Sequence, residues 1–332
     1  MPRSRRLTQL APTVAAVAAL VLTAGAAQAA TGDPARPFGG RAVDGYYADP
    51  AITVVGNTYY VYPTTDGEGA RDASFTAWSS TDLVHWRKHG PVLSLGKGKD
   101  VTWASRNAWA PAMAAANGKF YLYYAADEKI GVAVGDSPVG PFRDIGKPLV
   151  TANPGGVGVP IDPAVVRAPD GTRWLYWGNQ QANAVPLNKD MVSFDRSKIR
   201  VLKGLKNFSE GLDVVLRKGT YHVTYSIGDF RDPDYKVGYA TAPTPTGPFT
   251  YHGVLLSQDP KQKIRGTGHG SMLQVPGTDE WYYAYHRWTV PNGNAYHREV
   301  TIDRARIGKK GLFGRIAPTL SGPSPRPVPP LA

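Results

Sequence analysis

Short apolar runs joined by tight turns recur along this chain. In one example, the run 212–215 precedes a turn at 218–220 and a second strand at 221–225. No long stretch has its apolar residues three and four positions apart, so no extended α-helix is predicted. The pattern instead predicts an all-β chain assembled from hairpins.

The hairpin occurs five times, and a polar or aromatic residue opens the first strand of each copy. These residues are Asp49, Trp109, Asp162, Glu210 and His269, which are 60, 53, 48 and 59 positions apart. A repeat of about 50 residues with several short strands is typical of a β-propeller. We predict five blades of about four antiparallel strands. Because the first strand of each blade lines the central channel, the five residues should converge at one mouth.

A second pattern closes four of the five units. A strand, a turn rich in Ser, Thr or Pro, an aromatic residue and an outer strand follow each other. The aromatic residues are Trp86, Phe142, Phe194 and Phe249, and we predict that they pack between strands. The fifth unit lacks this pattern and continues through 298–307.

Both ends of the chain differ from the repeats. Residues 1–30 combine three early arginines, an apolar run over 10–27 and the small residues Ala27 and Ala29. This order is typical of a secretory signal cleaved near Ala29 or Ala30, and the run is short for a membrane anchor. We therefore expect a secreted protein, with a propeller over 31–316 and a Pro-rich tail, extended and poorly ordered, over 317–332.

The composition and net charge limit the kinds of binding partner that we expect. The chain has no cysteine and a net charge of +12, of which +9 remains after the signal is removed. That excess could favour an acidic polymer, but a solvated basic surface is the preferred explanation. Nothing resembles a nucleic-acid motif, so we expect no nucleic-acid partner, no membrane contact after cleavage, and a monomer.

The three carboxyl groups at the predicted mouth suggest acid and base chemistry. Like charges at close range raise the pKa of at least one of them, which separates an acid from a base. This separation is what the cleavage of a glycosidic bond requires. Glu210, with the longer side chain and Phe208 nearby, suits the acid. Asp49, held extended by Pro50, suits a rigid base, and Asp162 would tune the acid.

Each of these residues also has a simpler interpretation. Asp-Pro is a common turn dipeptide that occurs five times here, and only Asp49 and Asp162 fall at the repeat position. His269 is either a satisfied core imidazole or an axial residue that holds water or a metal, and its glycine neighbours predict close backbone packing. Trp109 suits core packing and sugar stacking equally.

The motifs YADP, WAP, IDP, SEG and GHGS, in this order over 44–316, resemble those of glycoside hydrolase family 43. The resemblance implies a five-bladed β-propeller that hydrolyses glycosidic bonds with inversion. It implies that Asp49 is the general base, that Glu210 is the general acid, and that Asp162 orients and tunes the acid.

Further expectations follow from the same resemblance. His269 matches a central histidine that in many members helps to bind a calcium ion through waters, while the chemistry itself needs no cofactor. Arg298 resembles an arginine that contacts the sugar, and Arg287 is a second, less secure match. We also count Trp109 and Asn107, at the end of the loop 95–107, as candidates for substrate binding.

Two departures shape the expected activity. The usual Glu-Gly-Pro is here Glu210-Gly211-Leu212, and no second β-sandwich follows the repeats. We therefore expect an exo-acting α-L-arabinofuranosidase, with β-D-xylosidase and β-D-galactofuranosidase as alternatives. The partner would be an oligo- or polysaccharide containing arabinose, xylose or galactofuranose. A non-catalytic glycan-binding propeller is the rival class, but it has no need of three acids in register.

Overall fold

The computed structural model describes residues 40–67 and 73–329, so the predicted signal at 1–30 lies outside the described residues. The described residues form five antiparallel sheets. Blade 1 contains β1 (Tyr47–Val55), β2 (Thr58–Thr65), β3 (Ser74–Ser80) and β4 (Arg87–Ser94), and blade 2 contains β5 (Trp109–Ala116), β6 (Lys119–Ala126), β7 (Lys129–Gly135) and β8 (Arg143–Asp144).

The remaining three blades follow the same order. Blade 3 contains β9 (Ala164–Arg167), β10 (Arg173–Trp177), β11 (Asn183–Pro186) and β12 (Arg200–Val201), blade 4 contains β13 (Glu210–Arg217), β14 (Thr220–Ile227), β15 (Lys236–Ala242) and β16 (Thr250–Leu256), and blade 5 contains β17 (Gly268–Gln274), β18 (Trp281–Trp288) and β19 (Arg298–Ala305). Short 3-10 helices lie at Pro154–Gly156, Arg196–Lys198 and Pro260–Gln262. None of the described helices is long and apolar enough to cross a membrane.

The predicted all-β, five-bladed propeller is confirmed. In every sheet the strands are hydrogen-bonded in chain order, as in a meander. Four blades have four strands, and blade 5 has three of its own, which agrees with the missing closing pattern.

The hydrophobic core is divided among the interfaces between neighbouring blades. Each of five buried clusters joins one pair of blades, and the last joins blade 5 to blade 1 through residues such as Val61 and Ile302. The predicted packing aromatics belong to these clusters: Phe142 and Phe249 are buried, and Trp86 and Phe194 are half-buried. Burial of apolar faces between blades therefore holds the ring together.

Residues before β1 complete blade 5. Arg41 pairs in antiparallel fashion with Thr301 of β19, and the backbone N–H of Ala42 donates to the carbonyl of Val300 at 2.7 Å. The segment thus takes the fourth position of blade 5, so the two ends of the chain close the ring.

The C-terminal tail is extended, as predicted, but its described part packs on the propeller. Arg326 forms an ion pair with Glu280, and its backbone N–H donates to the carbonyl of Asp82 at 2.8 Å. Val328 is buried in the cluster between blades 5 and 1. The expectation of a poorly ordered end is therefore wrong for this part, because the basic and apolar side chains between the prolines find partners.

Candidate functional site

The residues that open the inner strands meet at one mouth of the central channel, as predicted. The inner pocket there, about 460 Å³ in volume, is lined by Asp49, Trp109, Ile161, Asp162, Glu210, Phe230, His269 and Arg298. Three carboxyl groups, an imidazole and a guanidinium thus share one small space between two aromatic rings.

A β-bulge at the start of the inner strands aims these side chains. The bulge interrupts the pairing of β1 after Ala48 and that of β17 after Gly268. Asp49, Asp162 and His269 all have a positive φ, at 48°, 60° and 24°. A non-glycine residue in this region is uncommon and marks a constrained position.

The bulge also shows that the five residues do not occupy strictly equivalent positions in their blades. At the start of the inner strands of blades 2 and 4, the residues with positive φ are Ala110, at 40°, and Gly211, at 66°. Trp109 and Glu210 therefore lie one residue before the position that Asp49 occupies in blade 1. Asp49 lines both the channel and the inner pocket, whereas Glu210 lines the inner pocket but not the channel.

The extended conformation predicted for Asp49 is wrong. Although Pro50 follows it, Asp49 has a φ of 48°. The restriction by proline is a local preference. Here the bulge and the contacts of the Asp49 carboxylate with blade 5 override it.

Asp49 is the most strongly held carboxylate. Its Oδ1 lies 3.3 Å from Nη1 of Arg298, 3.4 Å from Nδ1 of His269 and 3.0 Å from Nδ1 of His286. Burial alone would raise the pKa of Asp49, but the charges of Arg298 and His269 outweigh it and hold the pKa well below its ordinary value. Asp49 is therefore ionised. Its Oδ1 makes all three contacts, and its Oδ2 takes part in none of them.

His286 was missed by the sequence reasoning, which took only the neighbouring arginine from its motif. It is buried, and burial together with the charge of Arg298 lowers its pKa to about 4. The neutral ring carries one proton. The backbone N–H of Asp49 donates to Nδ1 at 3.2 Å, and the same nitrogen lies 3.0 Å from Oδ1 of Asp49. His286 therefore contacts both the backbone and the carboxylate of Asp49 through Nδ1. Its position opposite Gly268 in the register of β17 and β18 was the available signal.

Asp162 links the carboxyl groups to the backbone beside Glu210. Its Oδ2 accepts the N–H of Gly211 at 2.9 Å. Burial raises the pKa of Asp162 to about 7, and the charges of Glu210 and Asp49 add to this against that of His269. The expected rise in pKa among crowded carboxyl groups is thus present. A Cβ on Gly211 would lie 2.9 Å from Cγ of His269, so only glycine fits there.

His269 bridges the two aspartates. Its Nδ1 lies 3.4 Å from Oδ1 of Asp49 and 3.7 Å from Oδ2 of Asp162. Burial would lower the pKa of His269, but Asp162 and Asp49 raise it to about 9. The predicted close packing is confirmed, since a Cβ on Gly268 would overlap the ring of Tyr235 and one on Gly270 would meet the carbonyl of Ala284. His269 is therefore a charged member of the site rather than an isolated core imidazole.

Glu210 is held by two neutral donors. Tyr235 Oη donates to its Oε1 at 2.8 Å, and Nδ2 of Asn179 donates to its Oε2 at 2.8 Å. Tyr235 also stacks on His286, with ring centroids 5.8 Å apart. Tyr235 and Asn179 lie in connections between strands, which single-sequence reasoning could not place.

Of the predicted substrate-binding residues, Arg298 and Trp109 reach the inner pocket. Asp66 clamps Arg298, accepting from its Nε at 2.9 Å and from its Nη2 at 3.2 Å. The guanidinium carbon also lies 5.6 Å from the ring centroid of Phe230. Neither Asp66 nor Phe230 lies at the repeat position, so neither carried a recognisable signal in the sequence.

Arg287 and Asn107 are not brought to the pocket. Arg287 is fully buried, where its Nε donates to Oε1 of Glu299 at 2.8 Å and its Nη1 donates to the carbonyl of Thr319 at 2.6 Å. Asn107 is buried before β5 and does not line the inner pocket. Arg287 thus fastens the start of the tail to blade 5, and Asn107 lies outside the pocket wall.

The channel below the inner pocket offers few ligands for a metal. Its lining includes Asp49, Asp213 and His269, with the hydroxyl groups of Thr53 and Ser271 and otherwise mainly apolar side chains. Burial raises the pKa of Asp213 to about 7. Among the described residues, no three His, Cys, Asp or Glu side chains cluster as metal ligands. Calcium prefers six to eight oxygen ligands, so water would have to supply most of its shell here.

Comparison with known proteins decides the family. The model of "Glycosyl hydrolases family 43" matches residues 42–313, most of the chain and all five blades. The chain belongs to glycosyl hydrolase family 43. It is therefore a glycoside hydrolase of the inverting, carboxylate acid/base type, and this chemistry needs no cofactor.

Relatives of family 43 cover most of the chain. It is 32% identical to a β-D-galactofuranosidase (xynD) of Aspergillus niger over 84% of each chain. It is 33% identical to an arabinoxylan arabinofuranohydrolase of Bacillus subtilis over 83% of this chain and 63% of the other. The crystal structure of a thermostable family-43 glycoside hydrolase, 28% identical, superposes with a TM-score of 0.72 over 85% of this chain and 96% of that one.

Proposed function

We propose that this family 43 enzyme is a secreted, monomeric, exo-acting α-L-arabinofuranosidase. The observation that carries the proposal is the inner pocket, where Asp49, Asp162 and Glu210 meet Arg298 between the rings of Trp109 and Phe230. A small pocket of this kind suits one terminal sugar, with an aromatic ring for its apolar face. Trp109 would then serve as a stacking surface.

In the proposed mechanism Asp49 is the general base. Because Arg298, His269 and His286 hold its Oδ1, Oδ2 is left to accept a proton from the attacking water. The low pKa of Asp49 keeps it ionised across the working pH range. As the water forms a bond to the anomeric carbon, the bond to the leaving oxygen breaks on the opposite face of the sugar, which inverts the configuration.

Glu210 is the proposed general acid, which protonates the leaving oxygen. Tyr235 and Asn179 fix the direction of its carboxyl group. Asp162 acts indirectly. It accepts a hydrogen bond from the N–H of Gly211 and thereby positions the backbone next to Glu210. Leu212 replaces the usual proline without disturbing this arrangement, because it packs in the cluster between blades 3 and 4.

Release of β-D-galactofuranose is the second candidate, and the Aspergillus relative favours it because the match spans most of both chains. Both candidates remove a terminal five-membered sugar ring, whereas β-D-xylosidase activity would require a six-membered ring in the same pocket. Calcium has no part in this proposal, because a protonated His269 would repel the cation in the channel.

The test is hydrolysis of a panel of aryl glycosides: α-L-arabinofuranoside, β-D-galactofuranoside and β-D-xyloside. The expected result is cleavage of the arabinofuranoside, with the β anomer as the first product by NMR. Cleavage of the galactofuranoside alone or of the xyloside alone would show that the enzyme releases that sugar instead of arabinofuranose. Silence across the panel and on linear arabinan would favour the glycan-binding alternative. Size-exclusion chromatography and the N-terminal sequence of the exported protein test the proposed monomer and signal cleavage.

A further inference from the structure

One buried tyrosine lies between the acid side and the base side of the site. Tyr235 directly precedes β15, and its Oη donates to Oε1 of Glu210 at 2.8 Å. Its ring stacks on the imidazole of His286, with ring centroids 5.8 Å apart and an angle of 8° between the planes. Nδ1 of His286 in turn lies 3.0 Å from Oδ1 of Asp49. A single side chain thus contacts one carboxyl group through its hydroxyl and reaches the other through the face of its ring.

The hydroxyl of Tyr235 is a constant donor to Glu210. Burial raises the pKa of Tyr235 well above its ordinary value, and the charge of Glu210 raises it further. The phenol therefore keeps its proton across the ordinary range of pH. Because the O–H group is always present, the hydrogen bond holds the carboxyl group of Glu210 in one orientation.

A glycine makes room for the ring of Tyr235. Gly268 lies opposite His286 in the pairing of β17 and β18. A Cβ on Gly268 would lie 1.9 Å from Cε1 and 2.1 Å from Cδ1 of Tyr235. Gly268 does not have a positive φ, so its backbone conformation would accept alanine. The glycine before His269 is therefore required by the ring of Tyr235 and not by the local backbone.

The backbone around Tyr235 joins blade 4 to blade 5. The N–H of Gly266 donates to the carbonyl of Pro233 at 2.8 Å, and Oγ1 of the buried Thr267 donates to the carbonyl of Tyr235 at 3.2 Å. Both bonds connect the segment before β15 to the segment before β17. Tyr235 is therefore fixed between the blade that carries Glu210 and the blade that carries His286.

We propose that Tyr235 is a positioning residue for both the general acid and the general base. Its hydroxyl aims the carboxyl group of Glu210, and its ring holds His286 against Asp49. Stacked rings that are buried together keep each other in place through their packing. One side chain thus sets the acid and the base relative to each other. The inference rests on the proposed roles of Glu210 and Asp49 and adds the connection between them.

Tyr235→Phe removes the hydroxyl and keeps the ring. We expect kcat to fall about tenfold on a substrate with a sugar leaving group and less than about twofold on a dinitrophenyl glycoside, because only a poor leaving group depends on the acid. KM should change little, and both substrates carry whichever sugar the native enzyme releases. Tyr123→Phe is the matched control. Tyr123 is also fully buried and donates to the carbonyl of Met191 at 2.6 Å, but it does not line the inner pocket, so kcat should stay unchanged on both substrates.

Tyr235→Leu removes the ring as well. Relative to Tyr235→Phe, kcat should fall by a further factor of about ten on both substrates alike, because the base activates the water whatever the leaving group is. Gly268→Ala displaces the ring while Tyr235 is still present, and it should reproduce both losses. In a His286→Leu background the ring has no partner to hold, so exchanging Phe for Leu at position 235 should lower kcat less than about twofold. Urea unfolding of each variant confirms that it is folded under the assay conditions.

Three results would overturn the proposal. Equal losses for Tyr235→Phe on the two leaving groups would remove the role of the hydroxyl. Equal kcat values for Tyr235→Phe and Tyr235→Leu on the dinitrophenyl glycoside, or a full further loss in the His286→Leu background, would remove the role of the ring. Failure of the proposed catalytic roles would look different, because Glu210→Gln and Asp49→Asn would then lose their own expected patterns while Tyr235 is intact.

Discussion

The base and acid sides of the site are held in opposite ways. Asp49 lies among charged groups, with Arg298 and His269 beside it and the buried His286 in contact. Glu210 is held by a phenol and an amide, Tyr235 and Asn179. Charges keep one carboxylate ionised, whereas neutral donors fix the direction of the other. The difference matches a base that must stay deprotonated and an acid that must face the leaving oxygen.

The strongest test of this comparison is Asp49→Asn. We expect kcat to fall about 10³-fold or more on every substrate, because the water loses its proton acceptor whatever the leaving group is. The measurement is kcat on aryl furanosides whose leaving groups span a range of pKa. Recovery of activity with an added small anion such as azide, giving a glycosyl azide that is inverted relative to the substrate as the water product is, would support the assigned role. A loss that depends on the leaving group would contradict it.

Glu210→Gln should show the dependence that Asp49→Asn lacks. The loss should approach about 10³-fold on a substrate with a sugar leaving group and be much smaller on a dinitrophenyl glycoside, because a good leaving group needs little protonation. The same series of substrates gives the measurement. Equal losses across it would remove Glu210 as the acid.

His286 supplies a smaller effect on the base side. His286→Leu removes a contact that lowers the pKa of Asp49, so this pKa should rise and the acidic limb of kcat/KM should move to higher pH, because the base must be deprotonated. We expect kcat at neutral pH to fall about tenfold with little change in KM. His286→Asn keeps an N–H near the same place and should restore most of the activity. A loss without any shift in the pH profile would indicate a structural role only.

A second buried histidine, His222, allows the pH dependence of stability to be distinguished from the pH dependence of activity. His222, in blade 4, lies 2.6 Å from Oη of Tyr239, and burial lowers its pKa to about 4. The unfolded chain, with the ordinary pKa of about 6.5, takes up this proton first. The free energy of unfolding should therefore decrease as the pH falls from about 6.5 to 4, by at most about 3 kcal/mol.

In His222→Gln this decrease should be smaller, and the pH profile of activity should keep its shape. Urea unfolding at several pH values gives the first quantity, and kcat/KM gives the second. An unchanged slope of stability with pH would show that His222 is not the group that titrates.

The fold was accessible from sequence because a hairpin is local. The tight turns and the short apolar runs beside them predicted the five blades and the place of the first strands. The one-residue offset of Trp109 and Glu210 was not accessible, because a bulge depends on contacts between strands. The pre-proline rule at Asp49 failed for the same reason.

From the residues alone, the site was predictable only where a residue lies on the repeat. Asp49, Trp109, Asp162, Glu210 and His269 were found in this way, whereas Arg298 was found through the family resemblance. His286 and Asp66 were missed: the backbone of Asp49 meets His286 across 237 positions, and Asp66 reaches Arg298 across 232. Arg287 has the residue type of a sugar-binding group but is buried against Glu299. The roles of His286, Asp66 and Arg287 depend on contacts between residues far apart in the sequence, which no pattern in a single sequence reveals.

Closure of the ring by the segment before β1 has a consequence for the order of folding. Gly40 and Thr301 are joined by a hydrogen bond across 261 positions, among the longest separations in the chain. Such contacts form slowly, because a long loop must be ordered before they form. Asp49 receives Arg298, His269 and His286 from blade 5 across the same junction. A partly folded chain with four finished blades would therefore carry an incomplete catalytic centre, and the appearance of activity during refolding would time the moment at which the circle closes.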